Sequence, residues 1–89
     1  NKMKTKPTQK EVVRQMLINS QTVCGSTVYK ETKRQCGVGS TNIHKQIGAL
    51  KKDGYVINFK WCGEGVHRYK EHTLDFKKTP KKLLQDKSN

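Results

Sequence analysis

Apolar residues along this chain follow a helical period in its first half and an alternating period in its second. The first helical stripe consists of Val12, Val13, Met16 and Leu17. It follows the run Thr8-Gln9-Lys10-Glu11, in which a threonine hydroxyl and a glutamate three residues later can cap the same helix end. The sequence therefore predicts a first helix that starts at Thr8 and ends near Asn19-Ser20.

A second, less apolar helix is predicted over residues 28–35. A short β-prone segment, residues 21–24, precedes it and is closed by Gly25. Ser26 or Thr27 is the expected cap. The run Cys36-Gly37-Val38-Gly39 then supplies two glycines where the helix has to stop and the chain has to turn.

The clearest helical period belongs to a third helix. Its apolar residues Ile43, Ile47 and Leu50 recur at i, i+4 and i+7. Ser40 or Thr41 is expected to cap it. The helix should end at Asp53, with Gly54 as the left-handed stop.

The pattern changes to alternation after this helix. Residues 55–61 and 66–74 are rich in β-branched and aromatic side chains, and the turn Gly63-Glu64-Gly65 separates them. These two segments predict a β-hairpin. Thr79-Pro80 is a suitable start for a last short helix carrying Leu83 and Leu84. The expected fold class is α+β, with three helices and a two- to three-stranded hairpin.

Nearly all apolar residues lie in the centre of the chain, which predicts one small domain over residues 8–76. A basic arm, residues 1–7, precedes it, and a basic tail, residues 77–89, follows it. Lysine and arginine together number 19 against 7 acidic residues, so the net charge is +12. So high a charge repels itself in a short chain, and an anionic polymer is the simplest partner that would explain it.

Three other classes of function are disfavoured. No apolar run approaches the roughly 20 residues that a membrane span needs, so no membrane partner is expected. The acidic residues are spread singly and there is no glycine-rich phosphate loop, so we expect no enzyme and no cofactor. A zinc site would have to combine cysteines with His44, His67 or His72 at spacings that match no familiar ligand pattern, so we expect no metal.

The cysteines indicate a compartment. Cys24, Cys36 and Cys62 are odd in number and form no Cys-x-x-Cys pair. Unpaired thiols that act as small apolar residues are typical of a reducing, cytoplasmic setting.

The order helix, short strand, helix, glycine turn, capped helix and hairpin resembles the winged helix-turn-helix family. The resemblance covers residues 8–74 and is most specific over 39–57, where Leu50-Lys51-Lys52-Asp53-Gly54-Tyr55-Val56-Ile57 is similar to the passage from recognition helix to wing. The return of the hairpin through Arg68-Tyr69 is similar to small phage-encoded helix-turn-helix proteins. The resemblance implies duplex DNA binding, with the third helix in the major groove and the hairpin as a wing.

Helical geometry also indicates which residues would contact DNA. If Ile43, Ile47 and Leu50 face inward, the third helix turns a face without acidic residues outward until its last turn. The candidate contact residues on this helix and its cap are Ser40, Thr41, Asn42, His44, Lys45 and Lys52. Asparagine can pair with adenine and lysine with guanine, while Gly48 and Ala49 keep the surface low enough to enter the groove.

Further cations flank the hairpin and occupy both arms. The candidates on the hairpin are Lys60, His67, Arg68 and Lys70, and those in the arms are Lys2, Lys4, Lys6, Lys77, Lys78, Lys81 and Lys82. The arms would contact phosphates without reading sequence. Trp61 could stack on a base, but a tryptophan in a strand near Phe59 more often belongs to the core, and we expect it there.

The sequence thus predicts sequence-specific or semi-specific duplex DNA binding, as a transcription regulator or replication accessory of phage or mobile-element type. One alternative is RNA or single-strand binding, in which Phe59, Trp61 and Tyr69 form an exposed stacking platform. Another is a protein-interaction winged helix whose positive charge meets an acidic partner; an exposed apolar patch would favour this interpretation. The sequence leaves open whether the chain forms a homodimer.

Overall fold

The computed structural model describes residues 7–84 and has an α+β fold. Three helices are followed by an antiparallel hairpin and a further short helical segment. Their bounds are α1 Gln9–Ile18, α2 Gly25–Cys36, α3 Ile43–Asp53, β1 Ile57–Cys62, β2 Tyr69–Leu74 and α4 Lys81–Leu84. The predicted class, with three helices and a hairpin, is confirmed. Residues 1–6 of the predicted basic arm (1–7) and residues 85–89 of the predicted tail (77–89) lie outside the described part of the chain.

The first helix begins where the sequence predicts. The Thr8 hydroxyl accepts a hydrogen bond from the Glu11 amide at 3.1 Å. The Glu11 carboxylate does not return to the cap; it accepts from the Gln15 side chain at 3.0 Å and pairs with Arg14. The predicted apolar stripe of α1 is fully buried, with Val13 at 0% exposure.

The second helix begins earlier than predicted, because Cys24 and not Ser26 or Thr27 is its N-cap. The Cys24 amide donates to the Thr27 hydroxyl at 2.9 Å, so Thr27 lies inside the first turn and satisfies the cap from there. Only the weak thiol stands at the cap position itself, which is why a search for a hydroxyl cap misplaces this boundary.

The third helix ends as predicted but starts one or two residues later. Asn42 is its N-cap, and its side-chain oxygen accepts from the Lys45 amide at 3.3 Å. Ser40 and Thr41, the predicted caps, precede the helix. Gly54 ends α3 with φ at +112°, a backbone conformation that strongly favours glycine. Ile47 and Leu50 are buried, as their spacing predicts.

The hairpin is joined to the helices by one additional bridge. β1 and β2 pair in a register that places Ile57 opposite Leu74, Phe59 opposite His72 and Trp61 opposite Lys70. On the other edge of β2, the His72 amide donates to the Val23 carbonyl at 2.8 Å. The segment predicted as a short strand before α2 therefore contributes a single paired residue to the sheet.

The segment after β2 packs against the domain. Thr79 is 2% exposed, and its hydroxyl accepts from the Val56 amide at 3.0 Å, so Thr79 anchors the loop and does not cap α4. The Tyr55 hydroxyl donates to the Leu83 carbonyl at 3.1 Å, and Leu83 and Leu84 pack against the core. There is accordingly no break in packing at residue 76, and residues 77–84 belong to the folded unit.

Candidate nucleic-acid interface

The outer face of α3 is a continuous cationic surface. Thr41, Asn42, His44, Lys45, Gly48, Lys51 and Lys52 are all exposed. The helix contains no acidic residue until Asp53, whose carboxylate pairs with Lys10 of α1 at 2.6 Å. We call these seven residues the α3 face. The helix thus presents donors and cations outward, as its period predicts.

Ser40 does not join this face, and the prediction that it contacts nucleic acid is wrong. It is 5% exposed, and its hydroxyl donates to the Gln46 side-chain oxygen at 2.9 Å. Its amide donates to the Thr32 hydroxyl at 2.7 Å. Ser40 therefore fixes the turn between α2 and α3. A polar residue two positions before a helix is easily mistaken for an exposed one, because only tertiary packing buries it.

Asn42 has a structural task in addition to its exposed position. Its side-chain oxygen is committed to the Lys45 amide, which leaves the side-chain NH2 group free. The bidentate pairing with adenine that the sequence suggests needs both groups. Lys45, which lies in the first turn of α3, is exposed, and its side chain takes part in no such hydrogen bond with the described residues.

The hairpin carries a second candidate surface. Ile57 at its base is 7% exposed, but Phe59 and Trp61 on the same face are 50% and 54% exposed. The expectation that Trp61 belongs to the core is therefore wrong. The helices cover only the base of the hairpin, so the alternating apolar residues nearer its tip project beyond the core and into solvent.

Two cations lie directly against these rings. The Arg68 guanidinium is 4.9 Å from the centre of the Trp61 ring, and the Lys70 ammonium is 4.5 Å from that of Phe59. Phe59 and Trp61 meet edge to face, with ring centres 6.3 Å apart. We call Phe59, Trp61, Arg68 and Lys70 the aromatic–cation face; the strand pairs on this side of the hairpin include no carboxylate.

His72 connects the two surfaces. Its ring is 6.3 Å from that of His44 on α3 and 6.2 Å from that of Phe59 on the hairpin. His72 is 5% exposed, and burial lowers the pKa of its imidazole, as do the nearby charges of His44, Lys70 and Lys51. The α3 face and the aromatic–cation face are thus adjacent parts of one cationic surface.

The other hairpin residues predicted to contact nucleic acid, Lys60 and His67, lie outside the aromatic–cation face. Lys60 lies on the opposite side of the hairpin, across from Glu71, and is exposed. His67 and Glu64 are exposed in the turn, where residues Gly65–His67 form a 3-10 segment. The structure therefore brings Arg68 and Lys70 together against the rings of Trp61 and Phe59, but places Lys60 on the other side of the hairpin.

Lys77 and Lys78 are exposed beyond the base of the hairpin. Their amides donate to the Asp75 carboxylate at 3.1 and 3.0 Å, so the backbone beneath both side chains is held in place. They are separate from the N-terminal end of α3, which suits contacts to the nucleic-acid backbone rather than to base edges. Lys2, Lys4 and Lys6 lie outside the described residues.

Lys51 is absent from the contact residues that the sequence predicts. It is exposed, and its charge reaches His72 at the junction with the hairpin. It lies seven positions after His44 and therefore on the same side of the helix, so the helical period could have indicated it.

The carboxylates of the two other helices are tied to neighbouring cations. Glu11 pairs with Arg14, and Glu31 pairs with Arg34. The hydrogen bonds from Arg34 and from Gln35 lower the pKa of Glu31. The positive charge on α3 and the hairpin is therefore not offset by carboxylates on α1 or α2.

The pKa values of two of the cysteine thiols are shifted in opposite directions. Burial raises the pKa of Cys24, but hydrogen bonds from Ser26 and Thr27 outweigh it, and the net shift is downward. Burial and the charge of Glu71 raise the pKa of Cys62. Within residues 7–84, no three His, Cys, Asp or Glu side chains are grouped in a way that could hold a metal ion.

In comparisons with known proteins, no family model, no characterised protein sequence and no solved structure matches this chain. Among the described residues, no helix is long and apolar enough to cross a membrane.

Proposed function

We propose that this protein is a winged helix-turn-helix module that binds duplex DNA, with α3 in the major groove and the hairpin as the wing. The observation that carries the proposal is the α3 face: an exposed helix face free of carboxylates up to Asp53, on a chain of net charge +12. Such a face neutralises phosphates and offers side chains to base edges at the same time.

The surroundings of α3 support this docking. A hydrogen bond from the Ser40 amide to the Thr32 hydroxyl joins α2 to the turn before α3, and the seven residues of the α3 face are exposed. Gly48 is exposed, and a methyl group added there would meet nothing within 4 Å, so the middle of the helix is low enough to approach a groove floor. Lys45 near the N-terminal end is then the first candidate for base contact.

An acidic protein partner is the less favoured occupant. The two exposed aromatic side chains on this side of the hairpin, Phe59 and Trp61, both have cations against their rings. A protein-binding patch is expected to be more continuously apolar. The resemblance to small phage-encoded helix-turn-helix proteins makes transcription regulation or a replication accessory the role we propose.

The test is to measure binding to duplex DNA, single-stranded DNA and a structured RNA at increasing salt concentrations. The fluorescence anisotropy of the labelled nucleic acid reports the binding. We expect duplex DNA to bind, with about five to eight phosphates neutralised and a log–log salt slope of similar size. A slope near zero would contradict the electrostatic basis of the proposal. Stronger binding to structured RNA than to duplex DNA would contradict the proposal and indicate RNA as the partner.

A matched pair of variants locates the contact. Lys45→Ala and Lys30→Ala each remove one exposed lysine, but Lys30 lies on α2 beside Met16 and Ser20, at the end of α1. We expect Lys45→Ala to weaken duplex binding by about 1–3 kcal/mol on a preferred site. Lys30→Ala should have a smaller effect, and equal losses would move the interface away from α3.

A further inference from the structure

The aromatic–cation face is not explained by groove binding through α3. Phe59 and Trp61 are exposed by half or more, although large aromatic side chains usually bury most of their surface. They do not contribute to the buried core cluster, which ends at Ile57 and Leu74 on this side of the hairpin. They are the two most exposed aromatic side chains among the described residues, and both have a cation against the ring.

We propose that the aromatic–cation face stacks unpaired bases, so that the protein prefers a duplex that continues into a single strand. This inference rests on the proposed duplex binding by α3 and adds a second type of nucleic-acid site to it. The occupant is a nucleotide whose base stacks on Phe59 or Trp61 while Arg68 and Lys70 lie close to its phosphate.

The chemistry of the face fits this occupant better than an apolar one. A base presents a flat π surface with a phosphate a few ångströms away, and the hairpin presents flat rings with cations at 4.5 and 4.9 Å. The Lys70 ammonium is also 5.4 Å from the centre of the Trp61 ring, so it is close to both aromatic rings. A paired base inside a duplex would not expose its face to these rings.

The position of the face explains why it would act together with α3. The path from His44 through His72 to Phe59 is continuous, with ring centres 6.3 and 6.2 Å apart. A duplex seated on α3 would therefore lie next to the hairpin, and a probe in which that duplex ends in a single strand would bring unpaired bases to this side of the protein. The unpaired strand at that junction would reach Phe59 and Trp61 without leaving the cationic surface.

The experiment compares four probes: a blunt duplex, the same duplex with an unpaired extension of either polarity, and poly-dT alone. Affinity is measured by anisotropy, and stacking by the intrinsic fluorescence of Trp61, the single tryptophan of the chain. We expect one of the extended duplexes to bind about tenfold more tightly than the blunt one. We also expect it to quench Trp61 and to protect it from acrylamide, whereas the blunt duplex does neither.

The variants Trp61→Leu and Phe59→Leu should abolish this tenfold preference, so that each variant binds blunt and extended duplexes with the same affinity. Val66→Ala is the matched control, because Val66 is an apolar hairpin residue that is 94% exposed and lies outside the face. Lys70→Gln, which keeps both rings, should reduce the preference only in part. Circular dichroism and thermal melting establish that each variant is folded.

The outcomes separate the two proposals. Equal affinity for blunt and extended duplexes, with Trp61 fluorescence unchanged, would overturn the stacking inference and leave duplex binding intact. Binding of poly-dT with quenching of Trp61, but no binding of blunt duplex, would support the stacking face and overturn the proposed function. If no probe binds at low salt, both are overturned.

Discussion

The hydroxyl of Thr32 accepts a hydrogen bond from the amide of Ser40 at 2.7 Å, in a part of the molecule where Thr32 has no exposed surface. The same hydroxyl donates to the Val28 carbonyl at 2.7 Å within α2. One side chain thus joins α2 to the turn that leads into α3. It determines the direction in which the α3 face is presented.

Replacing this hydroxyl tests the connection. Thr32→Val keeps the shape of the side chain but leaves the buried Ser40 amide without an acceptor, which we expect to cost about 1–3 kcal/mol in the free energy of unfolding. Urea denaturation followed by circular dichroism measures it. Thr41→Val, at an exposed position, is the control. A loss no larger than that of the control would mean that the turn is held by other contacts.

A second prediction concerns the inner side of the same helix. Ile47 is 4% exposed and lies at the centre of the apolar stripe of α3. Ile47→Ala should therefore destabilise the fold by about 2–4 kcal/mol, through lost burial and the cavity left behind. The exposed Val66→Ala should change stability by less than about 0.5 kcal/mol. Similar unfolding midpoints for the two variants would show that α3 does not contribute to the core as described.

The hairpin turn depends on Gly63. Its φ of +81° is strained for other residues, and an added Cβ would lie 2.5 Å from the His67 carbonyl oxygen. Gly63→Ala should destabilise the turn by about 1–3 kcal/mol. Gly48→Ala, in the open middle of α3, should instead stabilise the helix by up to about 1 kcal/mol. Thermal melting measures the change in stability of each variant. A change in the same direction for both variants would contradict the prediction.

Local patterns predicted most of this fold because they reflect local physics. The stripe of α1 and the stop at Gly54 follow from rules that span a few residues, and both appear where expected. The hairpin strands were predicted over residues 55–61 and 66–74, but they begin later, at Ile57 and Tyr69, and only the first residue of β1 is buried. The N-cap of α2 did not follow, because the Thr27 hydroxyl acts from inside the first turn. A sequence pattern does not distinguish that arrangement from a cap at Thr27 itself.

The candidate site was less predictable, because exposure depends on which elements cover which others. Ser40 was expected at the surface, yet Thr32 and Gln46 bury it through contacts that are distant in sequence. Trp61 was expected in the core, yet the helices end before they reach it. Helical spacing predicted the outward direction of Lys45, but it gave no information on how far the core extends along the hairpin.

The buried imidazole of His72 predicts a pH dependence of stability. Burial and the charges of His44, Lys70 and Lys51 hold its pKa in the folded state below the ordinary value of 6.5. Above that value the imidazole is neutral in both states. As the pH falls through it, the unfolded chain gains the proton first, so the free energy of unfolding decreases. Acid therefore destabilises the folded protein.

Urea midpoints between about pH 5.5 and pH 7.5 measure this effect. His72→Gln should flatten the profile over that interval, whatever its effect on absolute stability. His67→Gln, at an exposed position in the turn, should leave the slope as it is. An unchanged slope in His72→Gln would assign the dependence to another group.

The last prediction concerns how the proposed interface divides base contacts from phosphate contacts. Lys45 lies on the exposed N-terminal part of α3, whereas Lys77 and Lys78 lie beyond the base of the hairpin. Lys45→Ala should cost about 1–3 kcal/mol on a preferred site and much less on random duplex. Lys77→Ala combined with Lys78→Ala should weaken both about equally and reduce the salt slope, because these side chains reach only phosphates. Asn42→Ala is unsuitable for this comparison, since it would also remove the α3 cap.

The measurement requires a preferred site, obtained by selection from a random duplex pool, and salt titrations of each variant on selected and random DNA. Lys30→Ala again serves as the control for loss of one charge. If Lys45→Ala weakens selected and random duplex alike, α3 binds phosphates and does not read bases. Duplex binding would then stand without sequence specificity, because the charge of the α3 face would still account for the affinity.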